Sequence, residues 1–437
     1  MTIVHKLTTM KVKKNISLIL LFLFVFMPNW KLHSQSFADQ IFDPSIKTVL
    51  LYRSGAELSI PVINFNSNEK LTLSFDDLEA GFTNWQYTYI HCNADWTPTD
   101  LWQNEYLNGF TDDYIKEYRS SFNTLQPYTN YTIEIPNQNI NFKIPGNYLL
   151  KVYPEGDPDN PAFTRKIFVV DNSISVKAEV NLALDIDKRY THQEVGFSIY
   201  NPTYRIDEPY SQLKVIVLQN LRWDNAILNV KPLMLRSGEI DYRYKDGTLA
   251  FEGGNEFRYF DTKSIRSGNE RIRAIEIRGD RYIVDLLHDR SRAFRPYITE
   301  PDINGRFLIQ TIDAQDVKDE GEYTWVNFFL PFEIPFPGGQ MFVLGGFNNW
   351  QHDSLIKPED GRMKYNFARQ GYEARVLLKQ GYYNYLYGFV DDKTGMIDLA
   401  QAEGNHSETR NHYTILVYNR EQGYRYDKLI AVEFIGE

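Results

Sequence analysis

The feature that most constrains this chain is the recurrence of short runs rich in β-branched and aromatic residues, broken by Gly, Pro, Asn and Asp. Residues 71–75, 86–91, 131–135, 147–153 and 165–170 are such runs, followed by 214–218, 255–260, 281–286, 325–330 and 341–344. Spacings of roughly 8–15 residues with turn signals between predict antiparallel sandwiches, not βαβ units. The fold class is therefore all-β, in tandem immunoglobulin-like β-sandwich domains with one short helix in the first. That helix is expected over residues 112–122, capped by Thr111, with Asp112 and Asp113 in its first turn. Tyr114, Ile115, Tyr118 and Phe122 would share one face.

An outer-membrane β-barrel also alternates, but its lipid-facing row must stay apolar. Residues 271–278 fail that requirement. Arg271 and Arg273 accompany Ile275 and Ile277 on one face, and Glu276 and Arg278 accompany Ile272 and Ala274 on the other. Charge on both faces fits water and excludes lipid.

The N-terminus carries Lys6, Lys11, Lys13 and Lys14, an apolar run over residues 16–27, Pro28, and the small polar stretch 33–36. That layout predicts a secretory signal peptide, residues 1–34, cleaved after Ser34. A twelve-residue run falls short of the ~20 apolar residues that span a bilayer. Of 437 residues, 47 are Lys or Arg and 57 are Asp or Glu, a net charge of −10. Removal of residues 1–34 takes away five lysines and no acid, so 42 against 57 leaves −15. An acidic exported chain lacks the basic footprint of nucleic-acid binding. The single cysteine, Cys92, makes no internal disulfide and no Cys-based zinc site. It lies in a strand-like run, where burial is expected.

Two boundaries are expected, at residues 171–173 and in the acidic segment 313–322. They divide the exported chain into an N-terminal sandwich, 37–172, a second sandwich, 173–318, and a third domain, 319–437.

Motifs of catalysis are missing. The chain has no GxSxG, GxxxxGK or HExxH, and no GxGxxG after a strand. His406 and His412 are close, but their spacing matches no metal pattern. His91 and Cys92 are neighbours, yet adjacent strand side chains point to opposite faces. The acidic turn 155–160 lacks the EF-hand glycine and spacing and reads as a solvated hairpin tip. The chain therefore reads as non-enzymatic, with no catalytic residues, cofactor, metal or small-molecule substrate.

One ordered set of motifs is more specific: FDDL at 75–78, HCNADW at 91–96, EYLNGF at 105–110, the 128–131 segment and GNYLLKVY at 146–153. Within this block Tyr87, Tyr89 and His91 should line one strand face, with Trp96 covering the end of the core. EGNH at 403–406, Glu408-Thr409, Asn411-His412-Tyr413 and Tyr426-Asp427 follow near the C-terminus. In this order the motifs resemble the type IX secretion system plug proteins of Bacteroidetes. The resemblance marks His91, Cys92, Asp95, Trp96, Gly146, Asn147, Tyr148, Glu403, Gly404 and Asn405 as family positions. It implies a periplasmic protein, peripheral to the outer membrane, whose partner is the large translocon barrel (SprA- or Sov-like), closed by the plug on its periplasmic side.

The third domain is similar to early-set immunoglobulin-like modules that bind glycogen. The stretch 341–350, ending GGFNNW, carries their GxFNxW signature, and Trp350 stands where a sugar-contacting tryptophan would. Tyr387 takes the place of the later lysine, and no second tryptophan follows Asp391-Asp392. Tyr383, Tyr385, Tyr387 and Phe389 share one strand face and should pack a core. A periplasmic or surface glycan-binding protein using Trp350 is the alternative reading.

Overall fold

The computed structural model describes residues 38–352 and 360–436. The expected signal peptide lies outside the described residues. Almost every regular element is a strand, and the strands form three sandwiches, each with its own apolar core.

The first sandwich pairs the Trp85–Cys92, Gly146–Pro154 and Phe163–Val170 strands in one sheet and the Ile46–Arg53, Leu71–Asp77 and Thr129–Ile135 strands in the other. Side chains alternate across a strand, so every second residue of these runs faces the same layer. Phe75, Trp85, Tyr87, Tyr89, Tyr131 and Tyr148 meet there. Each such buried side chain contributes roughly 1.5–3 kcal/mol. The 155–160 turn is an exposed connection between two of these strands, as expected.

The helix expected over 112–122 does not form. Asp112–Tyr114 instead pairs with residues 86–88 of one sheet, and Glu117–Ser120 pairs with residues 129–132 of the other. Of the four residues assigned to its apolar face, only Ile115 is buried; Phe122 is 70% exposed. Two sheet edges offer backbone partners to residues 112–114 and 117–120, which outweighs a weak helical preference.

The chain passes from the first sandwich into the second near residues 171–173. The second sandwich opposes a sheet containing Ser175–Leu182 and His192–Tyr200 to one in which Leu213–Gln219 pairs with Tyr413–Asn419, itself paired with Lys428–Ile435. Its final two strands thus come from the end of the chain. The third sandwich, from Arg258–Asp261 to Ile397–Asp398, lies between those parts of the second. Arg281–Leu286 pairs in parallel with Tyr323–Pro331, so strands on either side of the acidic segment share one sheet. That segment carries the short Val317–Glu320 helix and marks no border. Local composition cannot report such non-local pairing, because each strand satisfies its own pattern wherever its partner lies.

The Gly381–Asp391 strand is the spine of the third sandwich and pairs with four others along its length. Tyr383, Tyr385, Tyr387 and Phe389 all enter the core, as the alternation predicts.

Candidate functional site at the joints between sandwiches

Most of the motif residues lie near the lines where sandwiches meet. At the joint of first and second, Cys92 lies opposite Asn147 and His91 opposite Tyr148 in neighbouring strands. The chain then turns through residues 93–97, where Asp95 accepts the Thr97 N–H at 3.1 Å and hydroxyl at 2.6 Å. This Asp-closed turn aims its backbone at the second sandwich. Asp427, completely buried, accepts the Ala94 N–H at 3.0 Å, the Lys214 ammonium at 2.9 Å and the Arg420 guanidinium at 2.8 Å. Asn147 donates to the Asn93 carbonyl at 3.0 Å and accepts from the Tyr418 hydroxyl at 3.0 Å.

His91 is enclosed by Tyr148, Tyr426 and Tyr106, with ring centroids 4.9, 5.3 and 5.6 Å away. Its Nδ1 meets the Thr99 hydroxyl at 3.1 Å. Burial lowers its pKa to about 4, so the ring is neutral at pH 7. Gly146 must be glycine here: its φ is 147°, and a Cβ would stand 2.5 Å from His91 Nε2. Cys92 is buried as expected, and burial pushes its thiol up to about 12. A thiol so protonated is a poor nucleophile. Trp96 does not belong to the first core. It packs edge-on to Phe168 and to Trp223 of the second sandwich, and the Lys166 ammonium sits over both indoles at 4.7 and 4.1 Å. A positive φ of 65° turns the residue outward.

Glu403, Gly404 and Asn405 sit where the chain leaves the third sandwich for the second. Glu403, fully buried, accepts from Arg258 at 3.0 Å, Arg292 at 2.8 Å and the Tyr387 N–H at 2.8 Å. Burial alone would push its carboxyl up; the two guanidiniums hold it below the usual range. Arg258 also reaches Asp289 at 3.0 Å, which accepts from the Tyr385 and Tyr387 hydroxyls at 2.7 Å each. Gly404 turns the chain at φ 79°. Asn405 accepts the Gly254 N–H at 2.8 Å, and Asn255 donates to the Glu403 carbonyl at 2.7 Å. The outgoing and returning connections are thus laced together.

The joint of first and third sandwiches centres on Asp76, within FDDL. It accepts from Lys379 at 2.7 Å, the Tyr323 hydroxyl at 2.7 Å and Asn130 at 2.7 Å. The Lys379 ammonium lies 4.1 Å from the Tyr128 ring centre. Tyr128 in turn donates to the Gly321 carbonyl at 2.9 Å. Motif matching reached Asp76 and Asp427 but missed Lys379, Tyr323, Arg258, Asp289, Lys214 and Arg420. The available signal was a charge at the end of an apolar strand, such as Lys379 after Val376, Leu377 and Leu378.

Chemically these clusters are suited to holding the sandwiches in place. Their carboxylates are buried and already matched by cations and hydroxyls, so none is poised to exchange a proton with a substrate. His406 and His412 stay apart in role: His412 meets Arg306 at 3.0 Å, and the His406 ring lies 5.8 Å from Tyr297. Among the described residues no group of three or more His, Cys, Asp or Glu is placed to hold a metal ion. Trp350 is half-buried. Its ring lies edge-on to Phe257 at 5.7 Å and 4.8 Å from the Arg222 guanidinium of the second sandwich. Tyr387 is fully buried. An indole face already covered by a cation is not a sugar platform.

The family profile described as "Type 9 secretion system plug protein 1st domain" matches residues 46–171, which are the first sandwich. No curated protein matches the chain in sequence. A crystal structure of a hypothetical protein from Parabacteroides merdae ATCC 43184 is similar at 35% identity and a TM-score of 0.88, over 92% of this chain and 99% of that one.

Proposed function

The chain belongs to the type 9 secretion system plug protein family, and from that premise we infer that it is a non-catalytic accessory protein that docks on the outer-membrane translocon barrel and closes it from the periplasmic side. The observation that carries this reading is the pair of buried charge clusters that cross from the first sandwich to the other two, with a third cluster fixing the exit from the third sandwich. Asp427 joins first to second, Asp76 joins first to third, and Glu403 sits where second and third are connected. A wide aqueous barrel leaks unless something rigid occludes it. A body whose parts are tied by buried, mutually satisfied charges resists the shear that would open such a seal. The covered face of Trp350 gives the glycan-binding alternative no support.

The test is co-purification. Affinity-tagged protein, extracted in detergent from membranes of the source cells, should bring down the SprA- or Sov-like barrel. Cross-link mapping should then place this chain at the barrel's periplasmic mouth. Repeated purification without the barrel would sink the reading, and retention on a glucan column would revive the alternative.

A further inference from the structure

A cavity of about 220 Å³ opens where all three sandwiches meet. The first contributes Val49, Leu51 and Phe168, the second Leu218, Trp223 and Leu416, the third Arg306 and Phe307. A second cavity of about 400 Å³ shares Ile60, Leu221, Thr414 and Arg306 with it, so the two adjoin along a common wall. Most of that wall is hydrocarbon.

The charges on it are unusual. Arg165 and Lys166 are buried there, and Asp39 is near enough to bias both, yet among the described residues neither forms an ion pair. Arg165 bonds backbone carbonyls and Lys166 lies on the two indoles. Glu57 also lines the cavity, at its exposed side. Arg306 differs from all of these. It donates to the Leu58 carbonyl and to His412 Nδ1, while its buried Nε–H has no partner among the described residues. Burial lowers its pKa with no carboxylate opposing the shift. His412, packed against it, is also shifted down by burial and by the Arg306 charge, and an imidazole supplies no negative charge in any case. This half-buried guanidinium, with no ion pair among the described residues, can still take an anion.

Two neighbouring features fit a ligand. Leu221 lines both cavities while held at φ 61°, a conformation a branched residue seldom adopts. Asn304, buried at 8% exposure on the second cavity, has a side-chain oxygen without a partner, and its amide can present N–H₂ to the same space after a flip.

We propose that this joint cavity binds a monocarboxylate carried on an aliphatic chain. Arg306 receives the carboxylate and the Leu218, Leu221, Trp223 and Leu416 wall receives the chain. The planar fork of the Arg306 guanidinium suits a planar carboxylate, and the largely apolar lining of the first cavity suits an aliphatic chain. Because all three sandwiches wall the cavity, an occupant bridges them and strengthens their arrangement.

Calorimetric titration of the purified protein with sodium octanoate tests this. Saturable binding is expected. Arg306→Gln should weaken it about tenfold or more, since a charged hydrogen bond is lost. 1-Octanol, which has the chain without the charge, should bind far more weakly. Ile60→Trp, which fills the shared wall and leaves Arg306 intact, should abolish binding. Absence of saturable binding, equal affinity for octanol, or an unchanged affinity in Arg306→Gln each overturns the proposal. Should Arg306→Gln fail to fold, Ile60→Trp decides alone: unchanged octanoate binding there overturns it.

Discussion

Lys379 and Asp76, 303 positions apart, form a 2.7 Å ion pair in which neither side chain is more than 2% exposed. The pair joins the third sandwich to the first. Burial lowers the Lys379 pKa while Asp76 opposes the shift, so each charge depends on the other for its solvation.

Lys379→Met should therefore destabilise the protein by about 3–5 kcal/mol, because Asp76 is left charged and dry. Asp76→Asn combined with Lys379→Met should recover part of that loss. Urea unfolding of both variants gives the comparison. Equal destabilisation by the single and double variants would mean the pair does not act as a unit.

Asp427 offers a second test, since it ties the Ala94 turn to Lys214 and Arg420. Asp427→Ala should cost about 3 kcal/mol or more. Hydrogen exchange should rise together at residues 93–97 and 426–429, although more than three hundred positions separate the two. Exchange confined to the 426–429 side would argue that the turn is held by its own sandwich.

His91 sets a pH dependence. Its folded pKa of about 4 lies below the ordinary 6.5, so the folded state binds fewer protons than the unfolded one. Its contribution is complete above pH 6.5 and is lost as pH falls toward 4, by roughly 3 kcal/mol in total. His91→Gln cannot titrate. The stability difference between native protein and variant should fall across that window and be flat above it; a flat difference throughout contradicts the burial account.

Cys92 should be inert. With its thiol pushed up to about 12, the folded protein should not react with a thiol-specific dye in mildly alkaline buffer. It should react stoichiometrically once unfolded by denaturant. Rapid labelling of the folded protein would place the thiol outside the packing between paired strands.

How much of this was readable in advance follows from the range of each interaction. Alternation has a period of two residues and acts within one strand, so the all-β class and the shared core face of Tyr383, Tyr385, Tyr387 and Phe389 were legible. The burial of Cys92 was legible for the same reason. The 112–122 segment was not, because pairing of residues 112–114 and 117–120 with two sheet edges overrode its weak helical spacing. The position of Trp96 was not, because its packing partner Trp223 belongs to another sandwich.

The residues alone thus determine that this chain builds sandwiches and which motif positions are unusual. Tertiary structure decides that Leu213–Gln219 pairs with Tyr413–Asn419 around an intervening sandwich. It also decides that Asp76, Asp427 and Glu403 become joints. A polar residue in an apolar strand states only that it needs a partner once buried. Which residue supplies the opposite charge is settled by the packing of whole sheets, where desolvation leaves no unpaired alternative of comparable energy.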